Sequence, residues 1–208
     1  MASPGNKRVP RFYRQTMDFT CGAACLLMAL NFFEPAFALT PENEVDIWRE
    51  GNLIPAMGMG RYGIALILLR RQCTVRILST TADFEFSSRI RARLGDNQYS
   101  QFRLLAQERM HRAKMLGLKE QTVSDITVRD LDAVKRGSLV FLLTDASVLG
   151  DETAPHWILI YGMDHEKLYF HNPLASEGGT AWPLTALENL SGFAGEEVMI
   201  EASPISYS

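Results

Sequence analysis

The apolar positions change rhythm about halfway along the chain. Between Cys21 and Phe33 they fall on nearly every side of a helix (Ala23, Ala24, Leu26, Leu27, Met28, Leu30, Phe32). That pattern predicts a helix buried all round. Pro35 lies just past its end. Thr40, Pro41 and Glu42 supply an N-cap, a first-turn proline and an early acid for a second helix. It runs to Glu50, and Gly51 stops it. Met57–Gly63 reads as glycine-rich loop, Tyr62–Gln72 as helix, and Cys73–Leu78 alternates like a strand. Residues 86–94 and 98–117 predict polar, Arg-rich helices. Thr127 and Asp130 have capping-box spacing, with Gly137 as the C-terminal stop. Short runs rich in Val, Ile, Leu, Tyr and Phe then predict strands at Ser138–Thr144, Trp157–Met163 and Lys167–His171. A short helix at Leu184–Leu190 and a last strand at Glu197–Glu201 follow. Helices first and a mostly antiparallel sheet afterwards make an α+β domain.

Composition narrows the class without changing that picture. The 208 residues are 47% hydrophobic and 22% charged, an ordinary globular balance. Length favours one domain over residues 1–208, with residues 1–14 as an N-terminal arm. Three Cys cannot build a disulfide framework, and free thiols point to a reducing, cytoplasmic setting. Residues 1–14 are polar and basic, so no secretory signal is expected. The longest apolar runs, Ile64–Leu69 and Ser138–Leu143, fall far short of the ~20 residues of a membrane span. The net charge of -3 hides a basic middle and an acidic end: +6 over residues 89–119 and -10 over residues 120–208. The basic stretch reads as a solvated helix face or as a surface for an acidic partner. Nucleic acid is not expected, because the chain is acidic overall and has no zinc-finger or RNA-binding signature.

Candidate chemistry centres on Cys21. It opens the first helix, where free N–H groups and the helix dipole favour an anion. The position is expected to lower its pKa. The alternative is a small buried hydrophobe, the role expected of Cys25 and Cys73. Gln15, six residues upstream, offers an amide to a developing oxyanion. A nucleophilic Cys needs a base, and the base needs an orienting group. Of the four His, His111 and His165 read as solvated, while His156 stands at the mouth of a strand. Asn172 ends the next strand. With a turn near Asp164–Glu166, hairpin pairing sets His156 opposite Asn172. The Asn oxygen can then fix the imidazole tautomer. A metal site drawn from Asp164, His165, His171 and His156 is a weaker alternative, since their spacing fits no known ligand pattern. Gly178-Gly179 reads as a turn rather than a cleavage site.

Three ordered blocks resemble the C39 family of papain-like cysteine peptidases and its stand-alone relatives. The first is Gln15-Thr-Met-Asp18-Phe-Thr-Cys21-Gly-Ala-Ala-Cys25-Leu, the second His156-Trp-Ile-Leu-Ile-Tyr-Gly, the third His171-Asn172-Pro173. Asp130–Leu143 is similar to the family's helix–Gly–strand before the histidine. The resemblance implies a papain-like fold with N-terminal helices packed on the sheet, and residues 83–125 as an extra basic helical insertion. It implies Cys21, His156, Asn172 and Gln15 as catalytic residues acting on a peptide or peptide-like substrate, with no metal or organic cofactor. Asn172 stands where the family usually has Asp. No P-loop or membrane span is present in the sequence, so fusion to an exporter is not expected. Some relatives sit beside ATP-grasp ligases, which suggests peptide tailoring. An inactive peptide-binding module and a thioacyl-intermediate acyl transferase are the alternatives on the same fold.

Overall fold

Three helices precede the first strand in the computed structural model, which describes residues 8–52, 58–82 and 87–205. Helix α1 (Cys21–Phe33) is buried from Cys21 to Asn31, as its all-round apolar sequence requires. Helix α2 (Pro41–Gly51) begins at Thr40, whose hydroxyl accepts the Asn43 N–H at 3.3 Å. Helix α3 (Arg61–Arg70) starts earlier than the sequence predicts and absorbs Gly63 from the expected loop. A Cβ at Gly63 would lie 2.3 Å from the Gly51 carbonyl oxygen, so glycine lets α3 close on the end of α2. Met57, the first residue of that expected loop, lies outside the described residues.

The sheet has seven strands in the order β2-β1-β7-β3-β4-β5-β6. They are β1 (Cys73–Ser79), β2 (Lys119–Thr122), β3 (Leu139–Asp145), β4 (Pro155–Met163), β5 (Lys167–His171), β6 (Thr180–Pro183) and β7 (Val198–Pro204). Only β1 and β2 pair in parallel; the other neighbours are antiparallel. Helices α1 and α3 cover one face, against Ile77, Phe141, Trp157, Leu159 and Ile200. Leu131, Val134 and the short helix α5 (Leu187–Leu190) close the other, against Val140, Ile158, Ile160 and Met199. The α+β class expected from the sequence is the one observed.

The polar helix α4 (Ser87–Met115) breaks at Gly95 (φ 73°), which supplies the interruption expected between two Arg-rich segments. Much of its charge is already engaged. Arg109 donates to the carbonyls of Gly51 and Asn52, Arg91 pairs with Asp96, Arg112 with Glu108, and Lys114 with Glu120. The Thr127–Asp130 capping box forms, but the residues after it wind as a 3₁₀ helix (Val128–Arg136) before Gly137 turns left-handed. Strands β2 and β6, absent from the sequence-based expectation, are the two sheet edges. Among the described residues no helix is long and apolar enough to cross a membrane.

Candidate active site

Cys21 is the first residue of α1, and Gly22 brings that helix end onto β4. A Cβ at Gly22 would meet Trp157 Cδ1 at 3.3 Å and Met59 Cβ at 3.1 Å. The Trp157 indole is held in turn by the Met59 carbonyl at 2.8 Å. The backbone N–H groups of Trp157 and Gly22 lie near the Cys21 sulfur. The thiol therefore faces the residue that directly follows His156.

His156 lies inside β4, opposite Thr144 of β3, and its ring is buried rather than open to a cleft. Its Nε2 is 2.9 Å from Asn172 Oδ1. The same oxygen accepts the Leu174 N–H at 3.0 Å. Because that backbone group can only donate, the atom facing His156 must be the amide oxygen. Nε2 thus carries the proton, and Nδ1 is left as the basic nitrogen.

The pairing of His156 with Asn172 is made by side chains and not by strand register. Leu159 stands opposite His171, and an extra residue at Tyr161 bulges β4. Asn172 comes one residue after the last pair, and its side chain reaches back to the imidazole. The expectation that hairpin register sets the two residues opposite each other is corrected accordingly.

Burial overturns a second expectation. It pushes the Cys21 thiol above its ordinary pKa, with nearby backbone N–H groups acting in the opposite sense. It pushes His156 below the ordinary imidazole value, opposed by Asn172 and by the Asp151 carboxylate. The helix N-terminus was expected to lower the thiol. Instead α1 is so fully buried that loss of solvation outweighs its dipole.

Gln15 enters through the backbone. Its N–H donates to the Pro173 carbonyl at 3.0 Å, beside Asn172. One hydrogen of its Nε2 goes to the Met17 carbonyl at 2.8 Å, while the buried Oε1 meets no donor among the described residues. The second Nε2 hydrogen has no acceptor among the described residues. Asp18, two residues before Thr20, is exposed.

The other thiols and histidines separate cleanly. Cys25 donates to the Trp157 carbonyl at 3.4 Å, and burial holds its pKa well above the ordinary value. Cys73 is pushed up to about 11 by burial. His111 is exposed, and His165 sits beside Glu166 at the exposed hairpin turn. Asp164 accepts N–H bonds from Glu166 and Lys167 in that same turn, at the far end of β4 from His156. Asp164, His165, His171 and His156 are not gathered into one site. Gly179, with φ 87°, is part of the turn between β5 and β6, as expected.

Two buried residues were missed. His171 accepts the Gly179 N–H at Nδ1 (3.0 Å) and donates from Nε2 to the Pro10 carbonyl (2.8 Å). Glu44 receives the hydroxyls of Tyr13, Thr16 and Thr20. The signal for Glu44 was available: it shares the buried stripe of α2 with Ile47 and Gly51.

A family model described as Peptidase_C39 like family matches residues 9–187 of the chain. That stretch takes in α1, α4 and the hairpin of β4 and β5. A search of the curated proteins finds no match.

Proposed function

The chain belongs to the Peptidase_C39 like family, and from that premise we propose that it is a cysteine peptidase or amidohydrolase of papain-like fold. It opens a peptide or isopeptide bond through Cys21, His156 and Asn172. The observation that carries this reading is the doubly fixed oxygen of Asn172, which accepts from Leu174 and faces His156 Nε2 at 2.9 Å. An orienting amide, a tautomer with a free basic nitrogen and a thiol beside the next residue are the parts that thiol catalysis needs.

The steps balance without a metal or an organic cofactor. His156 Nδ1 takes the Cys21 proton as sulfur attacks the substrate carbonyl carbon. The negative oxygen that forms is met by the Cys21 N–H and the free Nε2 hydrogen of Gln15. Collapse breaks the C–N bond, and the imidazolium gives its proton to the leaving amine. Water, activated by His156, then opens the thioester and releases the acid. Burial pushes the thiol up and the imidazole down, and His156 acts as a general base on the thiol.

Incubation of the purified protein with a diverse peptide library, read by mass spectrometry against Cys21→Ala, tests the reading. Cleavage products from the wild type alone are expected. Binding of the same peptides by both proteins with cleavage by neither would replace the enzyme with a peptide-binding module. Amine adducts in place of free acids would make it an acyl transferase.

A further inference from the structure

We infer that Glu44 is a positioning residue for the proposed nucleophile: its buried carboxylate sets the turn that carries Gln15 and Cys21. The inference rests on the proposed function but is carried by a separate observation. Glu44 is fully buried in the first turn of α2. No Lys, Arg or His among the described residues pairs with it. A carboxylate removed from water without a cation is costly unless donors surround it.

The donors all come from one short segment. Tyr13 Oη lies at 3.0 Å and the Thr16 N–H at 3.0 Å. The Thr16 hydroxyl lies at 2.6 Å and the Thr20 hydroxyl at 2.5 Å. Gln15 falls inside this bracket, and Thr20 is the residue before Cys21. Thr20 holds the N-cap position of α1 but makes no side-chain cap to its own helix; its hydroxyl donates to Glu44 and accepts the Met17 N–H at 3.4 Å instead. A carboxylate accepts on both oxygens, whereas an amide would turn two hydrogens toward groups that can only donate or must rotate away. The start of α2 adds N-terminal dipole to the same charge.

The test uses the full chain. Glu44→Gln keeps the shape and removes the double acceptor. Glu44→Asp keeps the charge on a shorter stem. Thr20→Ala deletes one donor, and the exposed Glu42→Gln is the control for first-turn charge. Two readouts are followed: the kcat and KM of any cleaved peptide, and the rate of Cys21 alkylation by iodoacetamide across pH. Glu44→Gln is expected to lower kcat roughly 10- to 100-fold with little change in KM, and to slow Cys21 alkylation at neutral pH. Glu44→Asp is expected to recover part of both, and Thr20→Ala to lose less in the same direction. Wild-type kcat and an unchanged alkylation profile in Glu44→Gln would overturn the inference. So would losses that only track the unfolded fraction seen by circular dichroism. A His156→Ala variant keeps the two ideas apart. If it leaves Cys21 alkylation unchanged, the catalytic reading falls; if it slows alkylation while Glu44→Gln does not, only the role of Glu44 falls.

Discussion

Rotation of the Asn172 amide is blocked from two sides, by the Leu174 N–H and by His156 Nε2. Removing it in Asn172→Ala frees the imidazole to turn, and kcat/KM is expected to fall roughly 10- to 1000-fold, the loss of an orienting group rather than of the base. An unchanged kcat/KM would mean that another group holds the ring. Asn172→Asp places a carboxylate against Nε2 and raises the pKa of His156 against the effect of burial. The base must be neutral to take a proton from a neutral thiol. The acid limb of kcat/KM is therefore expected to move to higher pH in this variant. A move of the alkaline limb instead would show that Cys21 and His156 rest as an ion pair. The thiols differ in the same terms. Iodoacetamide should react slowly at pH 6 and faster toward pH 9, and at Cys21 before Cys25, which is fully buried and bonded to a carbonyl. Labelling of Cys25 ahead of Cys21 would contradict the placement of the two sulfurs.

At the scale of elements, the segment before α1 binds the helical layer to the sheet. Pro10 meets His171, Gln15 meets Pro173, and Tyr13, Thr16 and Thr20 meet Glu44. Phe12 packs on the His171 ring with centroids 5.5 Å apart and fills the space over Gly178. A Cβ at Gly178 would lie 2.5 Å from Phe12 Cβ and 3.0 Å from His171 Cε1. Gly178→Ala is therefore expected to lift this segment, with overpacking of about 1–3 kcal/mol. Hydrogen exchange of a peptide covering residues 9–20 checks it: exchange faster than in the wild type is expected, and identical exchange would show that the segment yields without cost. Little of this was legible in the sequence, because the contacts join distant segments. The elements themselves were legible where periodicity is strong, as in α1, α2, β4 and β5. Strands β2 and β6 were not, because Lys119–Thr122 and Thr180–Pro183 are short edges with mostly exposed or half-buried residues. The contact of His156 with Asn172 was readable from residue types and order. Its register was not, since the bulge at Tyr161 leaves no mark in the hydrophobic pattern. The sign of the Cys21 shift was also hidden, because it depends on how completely α1 is covered.

At the scale of the whole molecule, two buried imidazoles make stability depend on pH. His156 lies in β4 and His171 ends β5, where the N-terminal segment meets it at Pro10. His171 uses both ring nitrogens on backbone groups: a proton on Nδ1 would turn the Gly179 N–H contact from attraction to repulsion. Burial lowers the pKa of His171 and of His156 below the ordinary value of 6.5. The unfolded chain therefore binds protons in a pH range where the folded chain refuses them. Stability rises with pH wherever the unfolded state holds more protons. It is fully present above pH 6.5, the ordinary value, and is lost as pH falls from there toward the lower folded values. Each excluded proton contributes up to about 1.4 kcal/mol per pH unit, or roughly 3–6 °C in Tm for a chain of this size. Exposed Asp132 and half-buried Asp164, whose carboxylates are held below the ordinary 3.8, titrate below that window. The Tm of the wild type is therefore expected to fall between pH 7.5 and pH 5. His171→Gln should melt lower at pH 7.5, where its backbone partners are lost, yet show a shallower fall toward pH 5, because one proton-refusing site is gone. Equal slopes in the two proteins would place the acid sensitivity elsewhere than at His171.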